Sequence, residues 1–122
     1  MAVGYERARG MRAPYQTARG FQVSVSKTLP VEVGALSRAF IDARRRGRWL
    51  ESGTLRIRTT HKDRTARFDF RDGVSRVLVY FEGKGPEKST VTVQHERLPD
   101  GDAVEEMRSF WRERLARLDK IL

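Results

Sequence analysis

The C-terminal end of the chain carries the pattern that most restricts its fold. Apolar residues recur there every three or four positions, the period of one helix face; they are Val104, Met107, Trp111, Leu115, Leu118 and Leu122. Asp102 lies three positions before Glu105, a spacing typical of a helix N-terminus, so we expect the helix to begin near residue 102. A helix of about 20 residues is about 30 Å long and must bury this stripe against a surface of similar length.

The surface that the rest of the chain offers is a β-sheet. Five segments alternate apolar and polar side chains, which is the period of a half-buried strand. The segments begin near Phe21, Leu55, Ala66, Val77 and Val91. Turn residues separate them, most clearly Asp72-Gly73, a pair that tolerates the positive φ of tight hairpins. We therefore expect an antiparallel meander after the first strand.

One or two short helices are predicted between the first two strands. Pro30 ends the first strand, and helical spacing of apolar residues predicts a helix over about residues 31–42. Beyond Gly47, the apolar pair Trp49-Leu50 suggests a second short helix. A strand, helices, a meander and a long amphipathic helix together indicate an α+β domain with its helices on one face of the sheet.

The chain is expected to form one domain in the cytoplasm. Its 122 residues suit a single core, which we place at 21–122, after a basic tail or linker at 1–20. The chain has no Cys, so disulfides and thiolate metal sites are excluded. It also has no apolar run of the roughly 18–20 residues that a membrane span needs, and no recognisable secretory signal.

The segment from Thr90 to Asp100, followed by Met107 and Trp111, resembles a known superfamily. A strand ending in Thr-x-His, a Pro-Asp loop and a helix with an early Trp are similar to the START-related proteins abbreviated SRPBCC. Within that superfamily, the sequence is most similar to the branch of activators of the heat-shock-protein-90 ATPase. The resemblance spans about 21–122 and implies the helix-grip fold, a curved antiparallel sheet of about five to six strands wrapped on a long C-terminal helix.

That resemblance also implies a cavity between sheet and helix for a small apolar or amphipathic ligand. Phe110 stands where the family often has Gly, and its ring is expected to fill part of that space. The same large residues equally suit an ordinary core, so both interpretations stay open. The candidate ligand-binding residues are Trp49, Phe68, Phe70, Phe81, His95, Met107, Phe110 and Trp111.

No residue set in the sequence predicts catalysis, a cofactor or a metal site. His61 falls in a predicted turn and His95 on a later strand, so the two histidines are not expected to share a metal. His95 shares its parity with Val91 and Val93 and should point inward, as a hydrogen-bonded core residue or as a polar contact for a ligand. Asp69 should face outward and pair with an Arg of a neighbouring strand.

The charge of the chain suggests an alternative function. A formal net charge of +9 is compatible with dispersed surface charge or with a basic module that recognises an acidic protein or another polyanion. The densest run comprises Arg44, Arg45, Arg46 and Arg48. We expect a small apolar ligand or a co-chaperone-like protein partner in preference to nucleic acid.

Overall fold

The computed structural model describes residues 16–17 and 20–122 of the chain. The tail predicted for 1–20 lies mostly outside these residues and stays a prediction. The described residues form one antiparallel sheet of six strands in the order β1-β2-β6-β5-β4-β3. The strands are β1 (Gln16–Thr17), β2 (Gly20–Leu29), β3 (Leu55–His61), β4 (Thr65–Phe70), β5 (Arg76–Gly83) and β6 (Ser89–Leu98).

Three helices complete the domain, α1 (Val33–Ile41), α2 (Ala43–Arg46) and α3 (Gly101–Ile121). The α+β architecture, with short helices after the first long strand and a long C-terminal helix, is the one predicted from the sequence. The second short helix precedes Trp49-Leu50 and does not contain that pair. Asp42 explains its position, because the Asp42 carboxylate accepts the backbone N–H groups of Arg44 and Arg45 and starts a helix there.

The start of α3 differs from the prediction. Asp100, and not Asp102, is the N-cap: its backbone is extended and its Oδ1 accepts the N–H of Ala103 at 2.8 Å. Asp102 lies within the first turn, where its charge complements the positive end of the helix dipole. The sequence therefore predicted a helix start in the right region, but the N-cap is two residues earlier than Asp102.

The apolar stripe of α3 covers one face of the sheet and packs chiefly on β2 and β6. Its buried members are Val104, Met107, Trp111, Leu115 and Leu118. Full burial of one large apolar side chain contributes about 1.5–3 kcal/mol, so this contact is a main source of stability. None of the helices in the described part of the chain is long and apolar enough to cross a membrane.

Candidate functional site

His95 is the buried polar centre of the domain. It lies on β6, and its side chain is fully buried (0% exposed), as its parity with Val91 and Val93 predicts. Its Nε2 lies 2.8 Å from Ser75 Oγ, and its Nδ1 accepts a 3.0 Å hydrogen bond from Nε1 of Trp111. Ser75 Oγ in turn donates to Asp72 Oδ2 at 2.7 Å. These four side chains connect the β4–β5 turn, β6 and α3.

Trp111 determines the direction of these hydrogen bonds, because an indole N–H can only donate. His95 Nδ1 must therefore be unprotonated, which leaves the proton of the neutral ring on Nε2. Nε2–H then donates to Ser75 Oγ, and the Ser75 hydroxyl donates to Asp72. Every polar atom in the series has a partner.

Burial controls the protonation of His95. Removal from water lowers its pKa from 6.5 to about 4; the Asp72 carboxylate opposes this shift and the Arg71 guanidinium adds to it. Burial alone would raise the pKa of Asp72. Hydrogen bonds from the Val74 backbone N–H and from the hydroxyl and backbone N–H of Ser75 outweigh burial and hold that pKa below its usual value. At neutral pH the network therefore contains a neutral imidazole and a carboxylate.

The arrangement is the reverse of a serine nucleophile with its general base. In a catalytic triad the His ring accepts the serine proton at one nitrogen and donates to a carboxylate from the other. Here the ring donates to Ser75, and the serine proton is directed to Asp72. Ser75 is also buried. The network thus fastens the β4–β5 turn to α3 and leaves Ser75 unactivated.

Sequence analysis missed Ser75 and assigned Asp72 only to a turn. A local signal was present, since Asp72 Oδ1 accepts the backbone N–H groups of Val74 and Ser75 at 2.9 and 2.8 Å, the pattern of an Asx turn. What local spacing does not contain is the long-range contact that brings this turn to His95.

Four of the predicted ligand-binding residues come together around His95, and we call them the first ring group. Its members are Phe70, His95, Phe110 and Trp111. The Phe70 ring lies 4.5 Å from the His95 ring and 6.0 Å from the Phe110 ring, centroid to centroid. Phe110 is half-buried, whereas the other three are buried. Met107, one turn earlier on α3, is also buried.

The remaining predicted residues join a different part of the core. Trp49 and Phe81 both contact Phe40, with ring centroids 4.7 and 5.4 Å apart, and this second ring group lies between α1 and β5. The indole of Trp49 donates to the Ala39 carbonyl at 3.0 Å. Phe68 is buried, with the Arg46 guanidinium 5.5 Å from its ring. Rings therefore occupy the inner face of the sheet along its length.

The basic run contains residues with different roles. Arg46 is half-buried and donates from Nη1 to the Phe40 carbonyl at 2.6 Å, at the C-terminal end of α1. Arg45 pairs with Asp42 at 3.6 Å. Arg44 and Arg48 are exposed, and their side chains have no ion-pair partner among the residues that the structure describes. The run therefore supplies two uncommitted cations at most.

Replacing Arg46 by Ala should lower the free energy of unfolding by about 1–2 kcal/mol, because it removes the hydrogen bond to Phe40 and the cover over Phe68. Arg44→Ala is the matched control and should change it by less than about 0.5 kcal/mol. Urea denaturation of both variants measures the difference. Equal effects would mean that Arg46 is only a surface charge.

The acidic and histidine side chains of the described residues do not form a metal site. Across 16–17 and 20–122, no three His, Asp or Glu side chains group where they could hold a metal ion. Asp69 faces outward, as predicted, with its Oδ1 3.0 Å from Arg58 and 3.8 Å from Arg76. The polar side chains of the domain therefore organise the core or lie on its surface.

The fold is the predicted helix-grip fold, an antiparallel sheet covered by a long C-terminal helix. Solved structures with this fold include CalU16 from Micromonospora echinospora, with a TM-score of 0.70, 15% identity and coverage of 87% of this chain and 78% of that one. They also include PFC0360w, an HSP90 activator from Plasmodium falciparum, at TM-score 0.68, 17% identity and coverage of 84% and 96%.

DynU16, a protein of the dynemicin biosynthetic locus, is similar at TM-score 0.67 and 21% identity over 81% of this chain. The chain spans only 46% of the length of DynU16. Neither a protein-family model nor a curated protein sequence matches the chain. The predicted likeness to an HSP90 activator is thus confirmed at the level of the fold alone.

Proposed function

We propose that this chain is a non-catalytic helix-grip domain that binds a small apolar or amphipathic ligand between its sheet and α3. The observation that supports the proposal best is the position of Phe110 in the first ring group. Phe110 is half-buried and lies against the buried rings of Phe70 and Trp111, with centroids 6.0 and 5.1 Å away. An apolar surface therefore lies directly beneath a ring at the rim of the core.

Two arginine side chains hold Phe110 in this position, that of Arg71 exposed and that of Arg114 largely buried. The guanidinium carbons of Arg71 and Arg114 lie 5.2 and 4.3 Å from the centre of its ring. Arg114 also donates two hydrogen bonds to Glu51, at 2.9 and 2.8 Å. The exposed cation–π contact of Arg71 contributes about 0.5–1 kcal/mol and the less exposed one of Arg114, whose side chain is 13% exposed, contributes up to about 2 kcal/mol, so a ligand that displaces the ring must gain more than these contacts supply. In the ligand-bound domain Phe70, Met107 and Trp111 form the apolar wall. Both ring nitrogens of His95 stay engaged by Trp111 and Ser75, so His95 supplies ring surface and no hydrogen bond to the ligand.

Replacing Phe110 by Gly should enlarge the space beneath α3 and increase binding of the apolar dye Nile red severalfold, because the ring that fills the rim is gone. Dye fluorescence at a fixed protein concentration measures the effect. Ala116→Gly is the matched control, since Ala116 is exposed on α3 and a glycine there weakens the helix at least as much without opening space. Equal dye binding by the two variants would contradict a ligand site at Phe110.

Native mass spectrometry of the purified wild-type protein tests the proposal directly. A co-purified molecule that is retained by the wild-type chain and lost in Phe70→Ala would support it. A single mass equal to that of the polypeptide, together with no Nile red binding by the Phe110→Gly variant, would contradict it.

A second candidate function is a co-chaperone-like interaction with an acidic protein. It is favoured by the exposed, uncommitted side chains of Arg44 and Arg48 and by the fold shared with an HSP90 activator. Binding of this kind weakens steeply between low and moderate salt, whereas capture of an apolar ligand does not. Loss of partner binding in Arg44→Ala with Arg48→Ala would support this second candidate.

A further inference from the structure

The sheet face that points away from α1 and α3 carries six arginines, and we call it the open face. No described helix packs against it. Its side chains come from four neighbouring strands, and the register places Arg56, Asp69, Arg76 and Glu96 in one row across them. Arginines and carboxylates thus alternate in this row across the four strands.

Two β-bulges add further side chains to this face. In β6, two residues between His95 and Leu98 oppose one residue of β2, and Arg97 has a positive φ of 63°. Strict alternation after the buried His95 would turn Arg97 toward the core. The bulge turns it to the open face instead, beside Glu96, while Leu98 is buried.

The second bulge lies in β3, where Ile57 pairs with Phe68 and Thr59 with Arg67, leaving Arg58 as the extra residue. Arg58 and Thr59 therefore both reach the open face. Bulges often redirect side chains next to binding sites. Here the two bulges bring Arg58 and Arg97 to the same region from opposite sides of β4 and β5.

Two adjoining grooves occupy the open face, with volumes of about 380 and 430 Å³. Arg58, Arg76 and Arg97 line both grooves. Each volume lies in the range of small-ligand sites, roughly 300–1,000 Å³. Leu78 adds apolar surface to the first groove, whereas the second is mainly polar. The three shared arginines thus stand at the junction of a polar and a partly apolar groove.

The charge of the grooves is unbalanced. Their basic residues are Arg56, Arg58, Arg67, Arg71, Arg76 and Arg97, and their carboxylates are Asp69 and Glu96. Asp69 pairs with Arg58 and Arg76, and Glu96 accepts a 2.7 Å hydrogen bond from Gln94. The side chain of Arg97 has no ion-pair partner among the described residues. A compact anion with several acceptor oxygens would complete this arrangement.

We propose that the open face binds a small organic phosphate, with its phosphate group at Arg58, Arg76 and Arg97. Guanidinium groups present paired N–H donors that match phosphate oxygens, and three of them at one point suit a multiply charged group better than a single carboxylate. The organic part of the ligand would lie in the first groove, against Leu78. The second groove adjoins the ligand space proposed beneath Phe110 through Phe70 and Arg71, but Arg58, Arg76 and Arg97 do not contact Phe110, so the phosphate site does not depend on that ligand space.

Titration with inorganic pyrophosphate, followed by NMR of the backbone amides and arginine Nε–H groups, tests the proposal. We expect saturable shifts on β3, β5 and the end of β6. Arg97→Gln should weaken binding about tenfold, because one charge-assisted contact is lost. Arg44→Gln carries the same charge change on α2, away from the grooves, and should leave the affinity within about twofold.

Arg97→Gly separates binding from folding. Glycine adopts a φ of 63° without strain, so this variant should unfold at the same temperature as the wild type or a few degrees higher. It should nevertheless weaken pyrophosphate binding about tenfold, as Arg97→Gln does. Asp69→Asn should have the opposite effect and strengthen binding severalfold, since it releases Arg58 and Arg76. Glu105→Gln on α3 is its charge-matched control.

Three outcomes would overturn the proposal. One is an equal loss of affinity in Arg97→Gln and Arg44→Gln, which would indicate general charge attraction. Another is weaker binding in Asp69→Asn. The third is binding of an eight-residue polyglutamate peptide that depends on Arg97 while pyrophosphate does not bind, which would assign the face to an acidic protein segment.

Discussion

Trp111→Phe should lower the free energy of unfolding by about 3 kcal/mol at pH 7, more than the smaller ring volume alone would cause. Trp111 is fully buried, so the shorter ring leaves unfilled space in the core. The variant also removes the donor to His95 Nδ1, and a buried acceptor without a partner costs about 1–3 kcal/mol. Urea denaturation measures the change.

The control for Trp111→Phe is a substitution of the neighbouring residue Phe110, which also belongs to the first ring group. Phe110→Leu removes a ring from a half-buried position that takes no part in the hydrogen-bond network, and it should cost about 1 kcal/mol. A combined Trp111→Phe and Ser75→Ala variant should show non-additive costs, because both substitutions break contacts of the same imidazole. Additive costs would show that His95 does not couple the β4–β5 turn to α3.

Acidification should destabilise the protein before most of its carboxylates are protonated. The pKa of His95 is about 4 in the folded chain and 6.5 in the unfolded chain, so between these values the unfolded chain binds a proton that the folded chain does not. Stability therefore falls as the pH is lowered through this window. The full effect is about 3 kcal/mol, of which about 2 kcal/mol falls between pH 7 and 5. Denaturation curves over this range measure it.

His95→Gln is the test of that assignment. It should be less stable than the wild type at pH 7 but should lose little further stability between pH 7 and 5, because the titrating group is gone. His61→Gln changes an exposed residue of β3 and should leave the wild-type pH dependence in place. If His95→Gln keeps the wild-type slope, another group causes the acid sensitivity. The contribution of Asp72, whose folded pKa is depressed, should be lost only at lower pH.

The elements of the fold could be predicted from the sequence because their signals are local. The alternation of Val91, Val93 and His95 fixes the inner face of β6, and the spacing from Val104 to Leu118 fixes the buried side of α3. The outward position of Asp69 follows from the same rule. These features depend on periodicity alone, which neighbouring residues define without reference to the rest of the chain.

The details around the candidate sites depend on contacts that periodicity does not contain. Ser75 meets His95 only because β5 and β6 pair in one particular register. Arg97 reaches the open face because a bulge interrupts the alternation that otherwise holds along β6. The predicted N-cap was Asp102 and the observed one is Asp100. Either Asp suits a cap, and only the extended backbone of Asp100 decides between them.

The strand β3 is an edge strand of the sheet. Among the described strands it pairs only with β4, so its other side presents backbone donors and acceptors that a second molecule could extend. Most of its residues are exposed, its bulge bends the strand, and Arg56 and Arg58 add positive charge. Charge and curvature at the edge of a sheet oppose the edge-to-edge pairing of strands that leads to aggregation.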